Sequence, residues 1–143
     1  MRHLLDVNVL IALMDANHAF HVSSHNWWRK ESPQWASCPL TQNGVIRIMA
    51  SAGYRLSNPV TVAEMAAQLD AFIGATDHEF WPDTISSLDT QTFDHSRILS
   101  SKYLTDLYLL ALAVENDGKF VTFDQGVPMA AVRGAKSERL VVL

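Results

Sequence analysis

The sequence predicts an α/β domain built on a central parallel sheet flanked by helices, and three observations carry that prediction. An apolar run, His3-Leu4-Leu5, starts close to the N-terminus and ends on Asp6, with a helical pattern directly behind it. Short apolar runs of strand length then alternate with longer stretches of 3.6-residue period. No hairpin signal joins any two strand candidates, so consecutive strands are expected to run parallel. In open α/β sheets the carboxyl ends of the strands carry the chemistry, which makes Asp6 a functional candidate from the outset.

Taken in order, Val7 to Met14 is apolar and suits the helix of a first βα unit. His18-Ala19-Phe20-His21 reads as a loop, and His21 to Glu31 as a second helix with Trp27, Trp28, Arg29 and Lys30 near its end and Pro33 behind it. Gln34 to Cys38 is a short strand. Pro39 and Thr41 mark a helix start, with Thr41 as N-cap of a helix from Gln42 to Ala52 whose inner face is Val45, Ile46 and Met49, and with Gly53 as its terminating residue. Ser57-Asn58-Pro59 reads as a turn. Thr61 caps a helix to Ile73 with apolar positions Val62, Met65, Ala66, Leu69, Phe72 and Ile73, and Glu64 completes a capping box. Glu79 to Trp81 is a strand ended by Pro82, Ser86 to Leu88 extends a connection, and Thr92 to Ser100 forms a short helix. Leu104 to Asn116 is rich in Leu and Ala, a strong helix stopped by Gly118. Lys119 to Phe123 is a strand, Gly126 to Ala131 a turn and short helix, and Arg139 to Leu143 a final strand. With neither linker nor repeat in view, one domain is expected over residues 1–143.

Composition narrows the function. A hydrophobic share of 48% suits a domain that buries a full core. Cys38 is the single cysteine, so no internal disulfide forms, and it reads as a small core residue. Arg2, His3 and Asp6 leave no apolar leader, and no apolar run approaches the roughly 20 residues of a membrane span. A soluble, cytoplasmic protein without membrane contact is the expectation. Against 15 acidic residues stand 11 Lys and Arg, a net charge of -4 that argues against binding phosphates through total charge. Acids gathered around a divalent cation reverse that argument locally, because the ion itself attracts phosphate.

Asp6 has two companions. Asp106 opens the Leu104 helix, and Asp124 closes the strand Val121-Thr122-Phe123. Each has an ordinary structural reading: Asp6 as a helix cap, Asp106 as a complement to the helix dipole, Asp124 as a turn former. Three acids at strand ends or helix starts of a parallel sheet share one rim, where they repel and raise one another's pKa unless a cation joins them. Hard oxygen donors suit Mg²⁺ or Mn²⁺, which activate water and neutralise a phosphoryl oxygen. By spacing of two residues, Asn8 is expected to orient Asp6 or a metal-bound water, and Thr122, two before Asp124, to contact a phosphate or an outer water.

Four stretches resemble, in order and spacing, the motifs of PIN-domain ribonucleases: Leu4-Leu5-Asp6-Val7-Asn8-Val9-Leu10, Pro39-Leu40-Thr41-Gln42-Asn43-Gly44-Val45-Ile46-Arg47, Leu104-Thr105-Asp106 through Ala113, and Val121-Thr122-Phe123-Asp124. The likeness is closest to VapC-type toxins of toxin–antitoxin modules and spans nearly the whole chain. It implies a parallel-sheet α/β fold, Mg²⁺- or Mn²⁺-dependent cleavage of RNA, homodimerisation and inhibition by a cognate antitoxin. Carried residue by residue, it assigns metal binding to Asp6, Asp106 and Asp124, with Asn8 and Thr122 in support. One position departs from it: Gln42 stands where the family has Glu in a Thr-Glu-Asn-Gly motif. An amide keeps the shape but supplies no negative charge, so a second ion is expected to bind more weakly and the catalytic set of Asp6, Gln42, Asp106 and Asp124 to be attenuated.

Other features rank lower. His21 and His25 share a helical face, but without a third ligand at known spacing they do not read as zinc ligands. Trp27 and Trp28 read as packing or a dimer face before RNA stacking. Arg47, Arg97 and Lys102 flank the expected rim and are the phosphate-binding candidates. A phosphatase of doubly wound type lacks its second acid, because position 8 is Asn. The alternative from another class is a weakened PIN-like module that binds RNA or protein without cutting.

Overall fold

The structure, a computed structural model, describes residues 1–55 and 58–143. Five strands, β1 His3–Leu5, β2 Trp35–Ser37, β3 His78–Phe80, β4 Lys119–Thr122 and β5 Leu140–Val142, form one sheet of order β3-β2-β1-β4-β5. Every neighbouring pair is parallel, as the absence of hairpin signals led one to expect. The helices are α1 Val7–Met14, α2 His21–Glu31, α3 Pro39–Met49, α4 Val62–Gly74 and α5 Leu104–Glu115. Sequence order reverses between β1 and β4, so their carboxyl ends flank the crevice where sheets of this kind bind ligands. Among the described residues no helix is long and apolar enough to cross a membrane.

Alternation along the strands divides the core in two. Leu4, Ala36 and Phe120 face α5 and join Leu107, Leu110 and Leu112. Leu5, Trp35 and Val121 face the opposite way and pack with α1, α3 and α4 through Val9, Leu10, Val45, Met49, Met65 and Leu69. Both faces of the central strands are therefore buried, which is why these strands read as unbroken apolar runs. Trp27 and Trp28 are spent on packing: Trp28 meets Trp35 and Phe72, and Trp27 meets the ring of His3.

The structure corrects several details. Cys38, rather than Thr41, is the N-cap of α3. Pro39 fills the first helical position, where its missing N–H costs nothing. Thr41 lies in the first turn, accepting from the Cys38 N–H at 3.0 Å. The helix accordingly starts and ends three residues earlier than expected, and Ala50, not Gly53, caps it. In α4 the capping box of Thr61 and Glu64 is present, but Val62 and Ala66 face solvent, leaving Met65 and Leu69 as the buried row. Strand β3 begins one residue early, at His78, and Trp81 turns into the core. The expected helix over Thr92 to Ser100 is reduced to a 3₁₀ turn at His95–Arg97. Ser57, part of the turn expected at 57–59, lies outside the described residues.

Gly118 does follow α5, for a different reason than termination. The left-handed position belongs to Asp117, with φ 53°, and the N–H of Gly118 closes the end on Ala113 O at 2.7 Å. A Cβ on Gly118 would stand 2.6 Å from Trp81 Cη2 and 2.7 Å from Arg2 O, so glycine is required for close packing.

Candidate functional site

The alternation that builds the core also aims the acids. Asp6 follows Leu4 by two, and Thr122 and Asp124 follow Phe120 by two and four, so all three belong to the face that packs on α5. Asp106 stands in the first turn of α5, on the same side. Asp6 caps α1, its Oδ1 accepting from the Val7 N–H at 2.7 Å. The fully buried Thr122 donates its hydroxyl to Asp6 Oδ2 at 2.7 Å and accepts from the Asp124 N–H at 3.1 Å. One hydroxyl, 116 residues from Asp6 in sequence, thus ties two of the acids together. Asp124 Oδ1 in turn accepts from the Gly126 N–H at 2.8 Å.

Charge crowds here. Burial pushes the pKa of Asp6 up, opposed by the Thr122 hydroxyl and the Val7 N–H and reinforced by Asp124. Asp106 is pushed up to about 7, by burial first, then by the charges of Asp6 and Asp124 and by its hydrogen bond with Asp124. Near neutral pH the trio holds a proton that isolated carboxylates would release. Among the described residues no three acidic, His or Cys side chains close into a finished metal cluster. The donor set nevertheless suits a hard divalent ion, because an ion would relieve the repulsion the shared proton now relieves.

The remaining candidates divide. Asn8 is exposed and lies within α1, where residues two apart point about 200° apart, so the expected support of Asp6 comes from Thr122 instead. Gln42 stands in the second turn of α3, its Nε2 donating to Ser37 Oγ at 3.0 Å. Ser37, fully buried, is 2.7 Å from His78 Nε2. Burial and the nearby Arg2 depress the His78 pKa, which favours the neutral ring. Gln42 therefore reaches the carboxyl end of β2 and is not hydrogen-bonded to Asp6.

Lys102 sits with its ammonium 4.9 Å from the Tyr103 ring. The Tyr103 hydroxyl lies against Gly126, where a Cβ would stand 2.8 Å from it, which places Tyr103 and Lys102 beside the Asp124 turn. Arg97 is exposed and pairs with Asp94 at 3.1 Å, and Arg47 is exposed in the last turn of α3. Sequence reasoning missed Ser37, His78 and Tyr103. Only Tyr103 left a local signal, its place just before the Asp106 helix.

A family model described as PIN domain matches residues 3–133. The chain belongs to the PIN-domain family. Among its PIN-domain relatives, ribonuclease VapC44 of Mycobacterium tuberculosis is 45% identical over the full length of both chains. Ribonuclease VapC39 of the same organism is 36% identical, over 94% of this chain and 96% of the relative. Identity at this level across the whole domain places the chain among the VapC-type ribonuclease toxins, a class of phosphodiester hydrolase. Two solved structures share the PIN fold. One is M. tuberculosis VapC20, described as a toxin cleaving the sarcin-ricin loop, with TM-score 0.61, 14% identity and 94% and 98% coverage of this chain and that one. The other is VapBC2 of Rickettsia felis bound to a promoter DNA fragment, with TM-score 0.59, 11% identity and 100% and 98% coverage.

Proposed function

We propose that the chain is a cytoplasmic endoribonuclease toxin that uses Mg²⁺ or Mn²⁺ held by Asp6, Asp106 and Asp124 to hydrolyse RNA phosphodiester bonds. The observation that carries this reading is the convergence of Asp6 and Asp124 on the Thr122 hydroxyl, with Asp106 in the first turn of α5 on the same side of the sheet. When bound, the ion supplies a polarised water and a positive charge beside the phosphoryl oxygen. Thr122 orients Asp6 and fixes the backbone of Asp124, so two ligands are held in place before the ion arrives. Lys102 is the basic side chain best placed to meet a phosphate, being next to the Asp124 turn, whereas Arg97 is engaged by Asp94 and Arg47 lies at the far end of α3. Gln42 attenuates the enzyme, since its amide leaves the rim one negative charge short.

Partners follow from the same reading. A groove of about 380 Å³, lined by Leu40, Ile85, Leu104 and Tyr108, opens beside the first turn of α5. An antitoxin segment lying there, with a basic side chain toward Asp106, would block both metal and RNA. A homodimer belongs to this reading too, and light scattering should give twice the 15.9 kDa chain mass. A chain-sized mass at micromolar concentration would remove it.

The competing reading, an RNA- or protein-binding module without catalysis, is favoured by the engagement of Gln42 with Ser37. Incubation of purified protein with single-stranded RNA separates the two. Cleavage in Mg²⁺ or Mn²⁺ that stops on chelation is the expected result. RNA that stays intact in metal at stoichiometric protein would favour the binding module.

A further inference from the structure

The strand that delivers Asp124 also carries a side chain to the other side of the sheet edge. Phe123, between Thr122 and Asp124, alternates away from the acids and joins the core on the α1 side. Two rings cover it. Phe20 lies 4.7 Å from it between centroids at 36°, and His18 lies nearly parallel at 18° and 6.4 Å. Phe20 is 50% exposed, an aromatic ring set on the surface at the start of α2.

The loop that presents these rings is tightly bonded. The Phe20 N–H donates to His18 Nδ1 at 3.0 Å, so that nitrogen is the acceptor and the ring proton sits on Nε2. His18 N–H bonds Asp15 O at 3.0 Å, and His21 N–H bonds His18 O at 3.0 Å. His21 and His25 anchor the start of α2 to the end of α1 through Ala12 O and Leu13 O, at 2.7 and 2.8 Å. Their role is structural: they hold the start of α2, and with it the backbone of Phe20, against the end of α1.

His18 also forms one wall of a cleft of about 820 Å³, shared with Asn17, Tyr54 and Arg55. Its buried acid, Asp15, is already occupied by the Tyr54 hydroxyl at 2.5 Å, the Asn17 N–H at 3.0 Å and Arg55 at 3.4 Å. The cleft therefore offers a nucleotide amide, phenol and guanidinium groups rather than a bare carboxylate.

We infer that Phe20 and His18, seated on Phe123, form a stacking shelf for one unpaired base of the RNA strand whose phosphate lies at the carboxylates. The inference rests on the ribonuclease reading and adds where the substrate's base goes. Phe123, on which the two rings lie, is one peptide unit from Asp124, so a strand crossing the sheet edge meets the acids and the rings in succession. Every base has a π face, and stacking on an aromatic side chain selects unpaired over paired nucleotides without reading sequence. The His18 Nε2–H and Asn17, at the mouth of the cleft, are the groups available to a base edge.

The test uses the full chain with Phe20→Ala, Phe20→Leu and Phe20→Trp, and a short single-stranded RNA carrying one 2-aminopurine. Stacking on an aromatic ring quenches this fluorophore. Phe20→Ala and Phe20→Leu should raise KM about 10-fold, within the range known for losing one stacked base, with kcat changed less than about two-fold. Both should lose the quench, and Phe20→Trp should restore both properties. Leu keeps the apolar volume that covers Phe123, so a defect shared by Ala and Leu but absent in Trp belongs to the π face and not to folding. Unchanged KM and quench in Phe20→Leu, with the wild type still cutting, would overturn the shelf and leave the ribonuclease intact. Quenching that depends on Phe20 in a protein that never cuts would support the shelf and count against the cleavage reading. Loss of antitoxin binding in Phe20→Ala with RNA handling unchanged would make the patch a protein contact and overturn the proposal.

Discussion

Replacing Gln42 with Glu is expected to raise Mg²⁺-dependent RNA cleavage by roughly 10²-fold, the scale attached to one electrostatic group in a transition state. The structure gives this substitution a consequence beyond the added charge. Gln42 donates to Ser37, whose hydroxyl is also hydrogen-bonded with His78 Nε2. A carboxylate at position 42 can only accept, so the Ser37 hydroxyl must turn toward it, and the contact with His78 is kept only when that ring carries its proton on Nε2. The fold should be almost unchanged, since the two side chains have nearly equal volume and the thermal midpoint should move by only about 1–2 °C. Growth of an expressing cell should suffer more from Gln42→Glu than from the present sequence. Equal metal-dependent rates for the two proteins would show that position 42 does not complete the site and that three acids suffice.

Asp106→Asn should have the opposite effect, lowering cleavage by about 10²- to 10³-fold and abolishing the stabilisation by added Mg²⁺ or Mn²⁺. Its pH signature is distinctive. Asp106 is pushed up to about 7 in the folded protein from an ordinary value of 3.8, so the metal-free folded state binds a proton that the unfolded chain has released. The stability this contributes is complete below about pH 4 and is lost as pH rises through about 7. The side chain is partly exposed, so solvent screening reduces the effect to about 2 kcal/mol, several degrees in thermal midpoint. Metal-free protein should therefore melt lower at pH 7.5 than at pH 5, and the midpoint gained on adding metal should grow over the same interval, because proton and cation compete for one group. Asp106→Asn should flatten both trends. A variant that keeps the wild-type pH slope and metal response would remove Asp106 from the site.

The elements legible in the sequence were those with a local cause. Asp6 and Asp124 could be read because each comes just after a strand buried on both faces, one residue past β1 and two past β4, and Leu104–Glu115 because Leu and Ala crowd a helical stretch. Residues with two local roles were misplaced. A threonine hydroxyl serves equally at the cap or three residues inside it, and only Pro39 in the first helical position marks Cys38 as the α3 cap. A glycine after a helix suggests termination, although Asp117 takes the left-handed turn and Gly118 makes room for Trp81. Asn8 does not follow the extended-chain spacing used for it, because the chain turns helical immediately after Asp6. Ser37 and His78, 41 residues apart, and Phe20 and Phe123 meet only through the fold and leave no periodic trace.

The alternation through β4 has a consequence for how this enzyme can vary. From Phe120 to Asp124, successive side chains are assigned in turn to the α5 face and the α1 face. Replacing any one of them changes one face. Deleting or inserting a single residue would exchange every one beyond it, and a change ahead of Phe123 would point Phe123 into the carboxylates and Asp124 toward the rings. The segment should therefore accept substitutions more readily than changes of length. A library of one-residue insertions and deletions over 120–124, scored for toxicity to the producing cell, should return almost no active members, whereas insertions in the exposed 86–91 connection should return many.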